Sequence, residues 1–137
     1  MNSFTNRMAR SVLIALVIVC VKPVIGQDPA ADAQKFAEAE WKLFDAGSFE
    51  QMYDSTFDDS MKQQMSRDNW VQVAHQTADQ RGKLVSRAVA NKTNSMGIYR
   101  IIFSSQCTGG KVFEDISVVK RDSGWKVTGI WVRPNLE

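Results

Sequence analysis

One histidine and two cysteines in 137 residues leave little material for soft-metal chemistry. Zinc sites need three or four ligands, mostly Cys and His, at short spacing, and once Cys20 is removed with an N-terminal leader, His75 and Cys107 alone cannot make such a cluster. Asp54, Asp58 and Asp59 do not match the ligand spacing of a calcium loop. Gly109-Gly110-Lys111 lacks the spaced upstream glycine and the following Ser or Thr of a phosphate-binding loop. No resident metal or cofactor is expected. Internal repeats and low-complexity tracts are absent as well, so neither a solenoid nor a disordered linker is expected.

Long apolar runs are also missing. Ser11 to Val21 is the apolar stretch of an N-terminal leader, about half of the roughly 20 residues that a membrane-spanning helix needs. Arg7 and Arg10 precede it as a positive region, and Val24-Ile25-Gly26 follows as a small-residue cleavage site. Residues 1–26 are therefore expected to be a signal peptide, with a mature chain from Gln27 that is exported to the periplasm or secreted. A lipid anchor is disfavoured because bulky Val19 precedes Cys20, which lies inside the apolar run. An uncleaved anchor bounded by Lys22-Pro23 is the competing reading.

Removing the leader changes the charge. Arg7, Arg10 and Lys22 go with it, which takes 17 basic residues to 14 against 15 acidic ones, a net charge of −1. The compositional case for nucleic-acid binding goes with them. Residues 27–79 hold 4 basic and 11 acidic side chains, whereas residues 80–137 hold 10 basic and 4 acidic. That asymmetry suits an acidic helical layer packed on a basic sheet. Loss of Cys20 leaves Cys107 alone, so no internal disulfide is expected and Cys107 is expected to be buried. Nothing in the sequence places His75 near it as a base.

Residues 27–137 suffice for one domain with one core. Asp28 caps a first helix with Pro29 at its first position, and Ala33, Ala37, Trp41 and Phe44 make its apolar stripe up to Gly47. Ser48 and Gln51 suit a capping box for a second helix, in which Phe49, Met52, Tyr53 and Phe57 share a face. A polar stretch from Asp58 to Met65 follows, with room for one more helical turn. Ser66 opens a third helix carrying Trp70, Val73, Ala74 and Thr77 and stopped by Gly82.

From Lys83 the period becomes alternating. Four strands are expected at Lys83–Asn91, Gly97–Cys107, Lys111–Arg121 and Trp125–Arg133. Their breaks are short enough for antiparallel neighbours. The expected fold is α+β, with three N-terminal helices packed on one face of a curved four-stranded antiparallel meander. Asn91-Lys92-Thr93, a formal glycosylation acceptor, falls in the first of those breaks.

Two segments carry a resemblance. Trp70 to Arg87, with Arg81-Gly82 and then Val85-Ser86-Arg87, and Glu114 to Val132, with Gly124-Trp125-Lys126-Val127-Thr128-Gly129-Ile130, resemble the bacterial domain of unknown function family 4019. The resemblance covers Asp32 to Val132, with Ile130 standing where members often carry tyrosine. It implies a small exported protein with a fold similar to the nuclear transport factor 2-like (cystatin-like) group, and it implies no activity. Tyr53 with Asp54 and Asp58 is similar to the tyrosine and carboxylates of isomerising enzymes in that wider group, although Asp54 and Asp58 fall on a polar helical face that solvent is expected to cover.

Two charges lie on apolar strand faces. Arg87 alternates with Val85 and Val89, and Glu114 with Val112, Ile116 and Val118, so both are expected to point inward. They form either a self-satisfied ion pair or a polar anchor for a ligand, in which Arg87 holds an anionic group and Glu114 orients it. Tyr53, Trp70, Tyr99, Trp125 and Trp131 are the aromatics available to line a cavity or fill the core. The candidate ligand-binding residues are thus Arg87, Glu114, Tyr53, Trp70, Tyr99 and Trp131. The leading function is non-catalytic binding of a small apolar or anionic molecule or of a protein, a second copy of the chain included. An enzyme of the pocketed α+β kind, with Glu114 as general base, is the alternative. The two separate on whether a cavity of about 300 Å³ or more holds an unpaired acid.

Overall fold

The computed structural model describes residues 28–135; the expected signal peptide at residues 1–26 lies outside them. Asp28 accepts a hydrogen bond from the Ala30 amide at 3.0 Å and starts α1 (Pro29–Asp45). Its stripe of Ala33, Ala37, Trp41 and Phe44 is buried as expected. Gly47, at φ +73°, ends the turn, and the Ser48 amide bonds back to the Leu43 carbonyl at 2.9 Å.

The second helix differs from expectation. Ser48 makes no side-chain cap, and a single α turn, α2 (Phe49–Gln51), passes into a π-helical turn at Met52–Thr56. There the Phe57 amide reaches five residues back to Met52, while the Thr56 hydroxyl also contacts the Met52 carbonyl at 2.8 Å. Asp58 and Ser66 then cap α3 (Asp59–Gln64) and α4 (Arg67–Arg81). On α4, Trp70 and Ala74 are buried, but Val73 lies at the rim of the interface, 46% exposed.

Four strands follow: β1 (Leu84–Ser95), β2 (Ile98–Cys107), β3 (Gly110–Arg121) and β4 (Gly124–Pro134). They form an open antiparallel meander in chain order. The first expected break does not exist. Asn91 to Ser95 continue β1, so the acceptor sequence Asn91-Lys92-Thr93 is strand rather than turn. The chain reverses at Met96 and Gly97, both with positive φ, which suits a two-residue hairpin turn. A register shift between Leu84 and Ser86 puts Val85 off the Arg87 face, and Val85 is 67% exposed. Helices cover one sheet face, whose Ile101, Phe103, Ile116, Val118 and Val127 meet the helical stripes in one core. No helix among the described residues is long and apolar enough to cross a membrane.

One carboxylate sits inside that helical layer. Glu40 continues the α1 stripe, is buried, and has the Thr56 hydroxyl at 2.8 Å. Burial pushes its pKa up from 4.5 to about 7, against smaller opposing effects from Thr56 and Lys126. The folded state therefore holds a proton that the unfolded chain releases, and stability falls as pH rises from 4.5 to about 7. The whole loss is about 3 kcal/mol, by conversion of the shift at 1.36 kcal/mol per pKa unit. Urea unfolding at about pH 5 and about pH 8 is expected to show this decline for the natural protein and to lose it in Glu40→Gln, which should be the more stable of the two at the higher pH. Equal slopes for both proteins would refute the assignment.

Candidate functional site

Arg87 and Glu114 do meet, but within a larger network. Glu114, fully buried on β3, accepts from Arg87 Nε at 2.5 Å and Nη2 at 3.1 Å, from the Ser105 hydroxyl at 2.7 Å, and from Arg81 Nη1. Asp45, at the end of α1, accepts from Arg81 at 2.6 Å and from Arg87 at 2.9 and 3.1 Å. Burial works against the Arg87 cation, but its bonds to Glu114 and Asp45 outweigh that and push its pKa up. Two guanidinium and two carboxylate groups balance, and together with Ser105 they tie α1, α4, β1, β2 and β3 to one point. Cys107 is buried near these charges, and its thiol pKa is pushed up chiefly by burial, which works against a thiolate nucleophile.

The sequence reading finds Arg87 and Glu114 but omits Arg81 and Asp45. Arg81 extends the 70, 74, 77 stripe of α4 by one turn, and that spacing was the available signal. Asp45 has no comparable signal, since a carboxylate at a helix end reads as solvated. With these partners in place, Glu114 has no free lone pair facing a cavity and is poorly suited to act as a general base.

The other candidates do not converge on this network. Tyr53 donates its hydroxyl to the Met65 carbonyl at 2.8 Å and so ties the π-helical turn to the α3–α4 link. Asp54 pairs with Arg67 at 2.9 Å on the surface. Asp58 is buried rather than solvated, held at a pKa of about 2 mainly by Arg121 and also bonded to Ser60. Tyr99 stacks edge-on against Trp125 at 5.6 Å, and beside it a recess of about 300 Å³ opens at the start of α1. Trp131 is 53% exposed, and its ring packs against Gly129, where a Cβ would fall 2.2 Å from the ring. A glycine is required there.

Trp70 lines a cavity between helices and sheet. It measures about 270 Å³ and is walled by Trp41, Phe44, Met61, Met65, Trp70 and Ala74, with Ile130 and Val132 from β4 and a rim that includes Val73, Thr77 and Trp131. No acid is among its walls. Trp41 is fully buried, and its indole Nε1–H has no acceptor. A buried donor left unpaired costs about 1–3 kcal/mol. Among the described residues no group of three or more His, Cys, Asp or Glu is placed to hold a metal ion.

The family described as "Protein of unknown function (DUF4019)" matches residues 36–130. The chain belongs to that family. In this DUF4019 domain the matched span includes Tyr53, Trp70, Arg87, Tyr99 and Glu114, and stops one residue short of Trp131. No curated protein matches the sequence. Solved structures similar to it include the following two. One, described as an NTF2-like transpeptidase from Campylobacter jejuni, has 16% identity and a TM-score of 0.49 over 69% of this chain and 94% of that one. The intermembrane space region of the chloroplast protein ARC6 has 17% identity and a TM-score of 0.49 over 80% of this chain and all of that one.

Proposed function

We propose that this DUF4019 domain is an exported binding protein that holds a small, largely apolar molecule between its helices and its sheet. The leader at residues 1–26 supports export. The apolar cavity supports the ligand class, and the unpaired indole N–H of Trp41, a wall residue closed to solvent, supports a ligand with one hydrogen-bond acceptor that reaches it when the walls part. At about 270 Å³ the cavity takes a molecule of modest size, just below the roughly 300 Å³ at which typical ligand pockets begin. The charge network contributes no residue to the walls of this cavity, and its carboxylates and guanidinium groups are already paired with one another, which argues against an anion clamp.

A matched pair of probes tests this. Acetophenone and ethylbenzene have nearly the same shape, but only the ketone offers an acceptor. Titrated against the intrinsic tryptophan fluorescence, the ketone is expected to bind roughly tenfold more tightly, a difference of about 1.4 kcal/mol. Thr77→Leu, which fills the rim, should abolish binding of both, and Trp41→Phe should abolish the preference alone. Absence of binding by either probe, or equal affinities in the natural protein, would refute the proposal.

A further inference from the structure

The sheet face left open by the helices carries a second arrangement of charge. The four strands contain eight Lys or Arg residues but two carboxylates, Glu114 and Asp115. Glu114 faces the helices, and Asp115, next along β3, faces the other way. Asp115 is nevertheless fully buried. Cross-strand register explains how: Ile102, Asp115 and Trp131 form one row across β2, β3 and β4, with Arg100, Ser117 and Gly129 on one side and Ser104, Phe113 and Arg133 on the other. Arg100 and Arg133 thus lie diagonally across Asp115. Arg100 bonds it through Nε at 2.9 Å and Nη2 at 2.5 Å, and Arg133 bonds it through Nη2.

One buried carboxylate holding two arginines leaves this spot with a net positive charge. Each guanidinium has five N–H donors, and most of these ten remain unused by Asp115. The two side chains are 45% and 53% exposed, so the free donors reach solvent. Arg100, Asp115, Ser117, Trp131 and Arg133 surround an open recess of about 410 Å³. Half-exposed Trp131, held against Gly129, and exposed Ile98 add apolar area on the same face. Arginine and tryptophan fixed in place beforehand are the side chains that dominate protein interfaces, because little entropy is lost when they are covered. A two-fold partner of the same chain would bring this positive patch against its own copy, which like-charge repulsion opposes.

We propose that this outer recess docks a protein partner through an acidic side chain seated between Arg100 and Arg133, with an adjacent aromatic side chain on Trp131. The role of Asp115 is to orient both guanidinium groups before the partner arrives. This site is separate from the cavity on the opposite face. Trp131 borders both, so Arg100 is the residue that distinguishes them.

The test is a nitrogen-edited NMR titration of the full-length protein with the capped tetrapeptide Phe-Glu-Phe-Glu and its isostere Phe-Gln-Phe-Gln. The acidic peptide is expected to shift the amides of Arg100, Asp115, Trp131 and Arg133, and to weaken as salt is raised. The glutamine peptide, and the acidic peptide with Arg100→Gln, should each bind roughly tenfold more weakly. Arg100→Gln keeps Arg133 on Asp115, and Arg100→Lys, which keeps the charge, should restore part of the affinity. Acetophenone binding should be unchanged in both variants. Shifts confined to the helical face, equal binding of the two peptides, no shifts at millimolar peptide, or a dimer that buries this face would each overturn the proposal.

Discussion

Arg81→Met is expected to destabilise the protein by about 3–5 kcal/mol, because it leaves Glu114 and Asp45 short of a buried counter-charge. The Arg81 side chain is 3% exposed and bridges the two carboxylates. Its guanidinium also lies 4.9 Å from the Phe44 ring centre, so the substitution disturbs packing as well as charge. Arg87→Met should cost less, about 1–3 kcal/mol, since Arg81 still faces both carboxylates and Arg87 is nearer to water. Adding Glu114→Gln to Arg81→Met should recover much of the loss, because the stranded charge is then gone. Urea unfolding at neutral pH measures all three. An Arg81→Met protein as stable as the natural one, or an Arg87→Met protein less stable than Arg81→Met, would show that the network does not bind the elements together as described.

Trp70→Ala should be of similar size, about 3–5 kcal/mol, and should lower Tm by on the order of 15 °C. Trp70 sits where α1, α2, the π-helical turn and α4 converge: its ring meets Phe57 at 4.7 Å, Phe44 at 6.4 Å and Phe49 at 6.5 Å. Its indole N–H donates to the Phe49 carbonyl at 2.8 Å, so truncation removes a partner from a buried backbone group as well as opening a hole. Trp70→Phe keeps part of the ring contact and loses the hydrogen bond, and should fall between the two. Trp131→Ala is the control. Half exposed on the open sheet face, it should cost less than about 1 kcal/mol. Thermal unfolding of the three variants checks the order, and an unchanged Tm for Trp70→Ala would contradict the packing.

Much of the candidate site was legible as direction and little of it as partnership. Alternation put Arg87 and Glu114 on the inner face, where they are. The same alternation missed the slip that frees Val85, because a bulge shifts one strand against its neighbour and leaves no mark on composition. Asn91 to Ser95 looked like a turn because its residues are polar, yet it pairs along its length with β2, where an edge strand tolerates polar side chains on both faces. Asp58, expected to be solvated, is buried because Arg121, 63 residues later, folds back onto it.

The sequence by itself determined the helical stripes, the change of period at Lys83, the α+β order and the family, since each is written in local spacing that a chain carries before it folds. Only the tertiary structure decided that Arg81 and Asp45 complete the Glu114 network, that Asp115 is buried on the open face, and that a gap remains beside Trp41. Local spacing fixes which way a side chain points from its own helix or strand. What stands opposite, and whether it fills the space between, depends on elements far apart in the chain, and packing settles it only when they meet.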